Sequence, residues 1–107
     1  KLINKLKESH KNIYIYCKGK YAAATIVILE KYKYTVKAVI DDSYVFEKNN
    51  FLNYKTINPK IFFKQTKNTL SKIGVIITHQ KIGASKKIHD FLIKKGLKKN
   101  QVISIQY

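Results

Sequence analysis

The stretch IYIYCKGKYAAATIVILEKYKYTVKAVIDD, Ile13 to Asp42, decides how the rest of the chain is read. With Asn12 included, its opening NIYIYC is apolar or aromatic at consecutive positions. A strand of that kind must be covered on both faces. A short turn containing Gly19 follows. KYAAATIVILEKYK is then long enough for a helix, with Ala22, Ala23, Ile26, Val27 and Leu29 or Glu30 at the three-to-four spacing of a packed face. YTVKAVI is a second strand that closes on Asp41 and Asp42. Strand, glycine turn, helix, strand and terminal acid is the order of a nucleotide-binding βαβ unit.

The glycine fingerprint of such units falls here on Cys17, Gly19 and Ala22. Gly19 keeps the position that lets backbone approach a pyrophosphate, and Ala22 nearly keeps the one that needs close helix–strand packing. Cys17 replaces the glycine of the tight turn, which widens or tilts it. The N–H groups around Lys20 to Ala23 suit an anion, and Lys18 and Lys20 add positive charge. Asp41 follows Gly19 at the distance from which a carboxylate accepts hydrogen bonds from ribose hydroxyls. The competing reading is that Asp41 and Asp42 only start a turn. The turn itself reads equally as a working anion site or as a structural relic with a protein-contact role, which would make the domain a ligand-free protein-interaction module.

Outward from this unit the alternation continues. NPKIFFKQ begins a helix, with Asn58 as N-cap and Pro59 at the first helical position. Before it, DSYVFEKNNFLNYKTI is a loop with a short strand near YKTI. KIGVIITH is a third strand, apolar on both faces. ASKKIHDFLIKKG is a helix with Ile88, Phe91 and Leu92 inward and Gly96 as its C-terminal cap. NQVISIQY is a final strand. KLINKLKES, at the start, reads as a short amphipathic helix over residues 1–10, and His10 as part of a surface connection. The whole of residues 1–107 is one Rossmann-like α/β domain. Its parallel sheet has principal strand order 2-1-3-4 and helices on both faces, a three-layer arrangement. The order reverses beside the first strand, so a ligand would bind at the carboxyl edge, near Cys17 to Tyr21, Asp41, Asp42 and Thr78 to Gln80.

His79, on that edge, is a candidate for touching phosphate or sugar, or simply a polar strand end. Cys17 reads as a small buried residue, with a reactive thiol at a helix start as the alternative. His89 and Asp90 read as solvated surface. No metal-ligand spacing, paired catalytic carboxylates or serine elbow is evident. The lone cysteine allows no internal disulfide and fits a reducing, cytoplasmic setting. No apolar run is long enough to span a bilayer. The formal charge of +16 comes from 22 lysines and no arginine. Lys, Asn, Ile, Tyr and Phe make up over half of the chain. An A/T-rich coding sequence explains that bias without a ligand, and the absence of Arg argues against specific nucleic-acid binding. The chain begins at Lys1 without Met, which reads as a piece of a longer protein.

Four segments together carry a resemblance: NIYIYCKGKYAAATIVILEKYKYTVKAVIDD, FLNYKTINPKIFF, IGVIITH and IHDFLIKKGLKKNQVISI. They resemble the small Rossmann-like domain attached to bacterial surface-glycan enzymes. Such domains precede FkbM-type methyltransferases, left-handed β-helix sugar acetyltransferases and membrane-linked nucleotide-sugar dehydratases. Cys17 and Lys18 stand where those domains have Gly-Ala, and Asn53 and Lys55 where they have Gly and Pro. The resemblance implies contact between Gly19, Asp41 and a nucleotide-sugar or dinucleotide. It also implies a covalently linked catalytic domain, with no bond-breaking by this domain alone.

Overall fold

Period-two alternation within consecutive apolar residues is what builds this molecule as three layers. The computed structural model describes residues 12–42 and 50–107. The leading helix over 1–10 and His10 lie outside the described residues. The elements are β1 (Asn12–Tyr16), α1 (Lys20–Lys31), β2 (Thr35–Ile40), β3 (Asn50–Phe51), β4 (Tyr54–Ile57), α2 (Pro59–Gln65), β5 (Ile73–Ile77), α3 (Ile82–Lys94) and β6 (Val102–Ser104). The sheet order is β3-β4-β2-β1-β5-β6. All pairings are parallel except the β3–β4 hairpin. The expected principal order is therefore present as β2-β1-β5-β6, and YKTI adds a fifth parallel strand outside β2.

In β1, Ile13 and Ile15 face one layer, which contains Ala22, Ile26 and Leu29 of α1. Tyr14 and Tyr16 face the other, with Phe62 of α2 and Leu92 of α3. The two faces explain why the strand carries no polar alternation. β2 is less regular. Its register against β1 slips between Ile13 and Tyr14, which leaves Lys37 as the extra residue of a bulge. Val36 and Val39 consequently serve the same face, while Ala38 and Ile40 serve the other.

Helix α1 differs in one respect from its sequence reading. Its buried face runs through Ala22, Thr25, Ile26 and Leu29, and Val27 is 62% exposed. Thr25 fits the apolar face because its hydroxyl donates to the carbonyl of Tyr21 (2.8 Å). Helix α2 starts as expected: the Asn58 side chain accepts the Ile61 N–H (2.8 Å), with Pro59 at the first position. Helix α3 starts at Ile82, two residues before the expected Ala84. It ends where Gly96 takes φ 118°, with Gly96 N–H donating to Ile93 O (3.0 Å) and Leu97 N–H to Leu92 O (3.2 Å). Those two bonds satisfy the last carbonyls, and the positive φ favours glycine.

The final strand is shorter than NQVISIQY. Lys99–Gln101 form a turn of 3₁₀ helix, and β6 holds only Val102–Ser104. Among the described residues no helix is long and apolar enough to cross a membrane.

Candidate functional site

The carboxyl ends of β1 and β5 diverge where α1 and α3 leave on opposite faces. Three fixed points hold the chain as it exits β1. The Cys17 N–H donates to Ile40 O (2.8 Å). The Thr78 N–H donates to Tyr16 O (3.0 Å). The buried Thr78 hydroxyl lies within 3.1 Å of Tyr16 O and 2.9 Å of Cys17 O. Cys17 then takes φ 84°. This is the left-handed conformation that glycine adopts without strain, so the tight turn survives with a cysteine in it. Gly19 follows at φ 142°. A Cβ added there would meet nothing within 4 Å, so the backbone angle, rather than space, demands glycine.

The first helical bond of α1 is Ala23 N–H to Gly19 O (3.0 Å). The amides of Lys20, Tyr21 and Ala22 precede it, in the positions that lack acceptors within a helix. They stand beside a cavity of about 290 Å³. One side is formed by Cys17, Lys18, Gly19, Tyr21 and Ala22, and the other by Thr78, His79, Gln80 and Lys81. The volume is at the low end of small-molecule sites.

The residues singled out in the sequence separate into four groups. Cys17, Lys18, Gly19, Tyr21 and His79 line this cavity. Lys20 begins α1, its Nζ 5.2 Å from the centre of the Tyr21 ring. Asp41 backs the turn: its Oδ2 accepts the Lys18 N–H (3.0 Å). Asp42 goes elsewhere. It accepts the Tyr16 hydroxyl proton (2.8 Å) and lines a second cavity of about 250 Å³ with Tyr16, Lys87, Ile88 and Phe91. The adjacent acids thus part: Asp41 holds the turn backbone and Asp42 lines the second cavity.

Electrostatics in the turn disfavour a reactive thiol. Burial, then the carboxylates of Asp41 and Asp42, push the Cys17 thiol up to about 12. Burial and the Asp42 hydrogen bond likewise raise the Tyr16 phenol. Both groups stay protonated in the folded chain at pH values where the unfolded chain has begun to lose those protons. Above pH 9.0, the ordinary thiol value, the unfolded state binds fewer protons, so stability falls with rising pH toward about 12. Chemical denaturation at stepped alkaline pH is expected to show this fall, and Cys17→Ala is expected to make it shallower.

His79 Nδ1 accepts the Lys81 N–H (3.2 Å), which commits that ring nitrogen. Lys81 was missed because α3 starts earlier than ASKK suggests. Gln80 was only placed near the edge. Its side chain donates to Thr78 O (2.8 Å) and Ile105 O (2.9 Å) and accepts the Tyr107 N–H (2.6 Å). No local sequence signal announces a partner 25 residues away. Among the described residues no three His, Cys, Asp or Glu side chains gather as metal ligands. No family model matches the chain, and no curated protein or solved structure does either.

Proposed function

We propose that this domain is a nucleotide or nucleotide-sugar binding module that serves a bacterial enzyme making or modifying surface polysaccharide. In this reading a phosphate rests on the amino end of α1, and a linked transferase or dehydratase domain performs the chemistry. The observation that carries the binding part is the cavity beside the Lys20–Ala22 amides, at the point where strand order reverses. The glycan part rests on the sequence resemblance alone. Lys18 and Lys81, which also line the cavity, supply charge for an anion.

One observation favours a second reading, a protein-interaction module whose nucleotide site has decayed. The Asp41 carboxylate already sits on the Lys18 amide, so the turn holds an anion of its own. A diphosphate arriving there meets that charge and must displace or tolerate it.

Titration with UDP-sugars, NAD(H), S-adenosylmethionine and coenzyme A, read by thermal unfolding, separates the two. Binding is expected to stabilise the fold by about 2.7 kcal/mol at a hundredfold excess over Kd. Lys18→Glu, at a lysine that lines the cavity, is expected to weaken that binding roughly tenfold, as loss of a charge-assisted contact does. Gly19 is a poorer site for this test, since any side chain strains the backbone at φ 142°. No stabilisation by any nucleotide at millimolar concentration would leave the interaction module as the better reading.

A further inference from the structure

The segment after β6 is held to the core by Ile105 and to the cavity wall by the residues beyond it. Ile105 N–H still donates to Ile77 O (3.0 Å), as a continuing strand would. Beyond that point the Gln80 carboxamide takes over the neighbour's role. It gives a proton to Ile105 O and takes one from Tyr107 N–H, the two bonds a flanking strand would make. Gln106 donates to His79 O (3.1 Å). The Tyr107 ring stacks on Tyr21, with centroids 5.6 Å apart and planes inclined by 21°. Its hydroxyl lies 2.6 Å from the Thr25 hydroxyl. Thr25 spends its own proton on Tyr21 O, so Tyr107 is the donor. Three of these partners, Tyr21, His79 and Gln80, line the turn cavity.

We propose that Gln80 and Tyr107 are positioning residues, and that residues 105–107 form a clasp whose grip sets how widely the turn cavity opens. Tyr107 remains 55% exposed, so burial of its ring is not what the contact chiefly provides. What it provides is a fixed place for Tyr21 on one wall and, through Gln80, for the opposite wall. Loosening the clasp frees both walls at once. The inference requires the cavity alone and holds whichever ligand, if any, enters it.

Cys17 is the chain's single cysteine and lines this cavity, so its labelling by a small methanethiosulfonate, which needs the thiolate, quickens as the cavity opens and water reaches the thiol, without any ligand. Tyr107→Ala removes the stack and the hydroxyl bond, and is expected to speed labelling about tenfold. Gln80→Ala is expected to do the same. Tyr107→Phe keeps the stack and is expected to speed labelling only about two- to threefold. Amide hydrogen exchange in β1 and β5 is expected to stay at the parent rate in all three variants. Labelling of both alanine variants within about twofold of the parent would overturn the proposal. So would a matching acceleration of β1 and β5 exchange, because the loosening would then be global.

Discussion

Replacing Phe62 by alanine is expected to cost about 3–5 kcal/mol, the range for removing a fully buried aromatic ring. Phe62 has no exposed surface. Its ring meets Tyr14 edge-on at 4.9 Å and Phe63 at 4.7 Å. Helix α2 is only seven residues long, too short to hold itself in water despite the Asn58 cap. Phe62 is the side chain of that helix that is fully inside, so the truncation opens a cavity and loosens the helix together. A domain of this size has about 5–15 kcal/mol of stability to lose. The urea midpoint should therefore fall sharply with its slope unchanged. Phe62→Leu, which keeps much of the volume, should recover most of the loss. A shift below about 1 kcal/mol for the alanine variant would mean that α2 is not docked as described.

The second large effect is expected at Gln101, a polar side chain with 2% exposure. Its Nε2 donates to Leu70 O (2.7 Å) and Ile73 O (2.9 Å), and its Oε1 accepts the Lys98 N–H (2.9 Å). One carboxamide thus ties the entrance of β5 to the turn that opens β6. Leucine has similar bulk but none of these bonds. It leaves backbone groups unpaired, one of them the carbonyl at the buried start of β5. Each such group costs about 1–3 kcal/mol when water cannot reach it. Since the Leu70 and Lys98 ends are only partly buried, Gln101→Leu is expected to cost about 2–4 kcal/mol in total. Unchanged stability would show that water replaces the lost partners. Exchange of the β5 amides should also quicken in this variant, because their strand loses its anchor.

The fold was legible because its decisive residues act locally. Consecutive apolar positions in NIYIYC and KIGVIITH required strands covered on both sides, and these are β1 and β5. Asn58-Pro59 marked a helix start through one-residue chemistry, and the cap bond is present. Where the reading slipped, the cause was long-range. Val27 matched the spacing of a packed face, yet the sheet takes the face through Thr25 instead. The end of NQVISIQY looked like strand, but after the Ile105 N–H bond to Ile77 the Gln80 side chain, rather than a neighbouring strand, partners Ile105 O and Tyr107 N–H.

The site was legible only in outline. Gly19 and the helix start were placed from spacing, and the cavity lies beside them. Spacing could not separate Asp41 from Asp42, because it cannot say which acid faces the turn and which meets the Tyr16 hydroxyl. Nor could it show that Cys17 would adopt the angle of the glycine it replaces. Backbone conformation at a single residue has no periodic signature.

The slip at Lys37 has a consequence for anyone setting this chain beside another with an uninterrupted second strand. The two sequences would match residue for residue only if a one-position gap were opened there. Without the gap, Thr35 and Val36 would be compared with residues that point the opposite way, and a genuine correspondence would pass for noise.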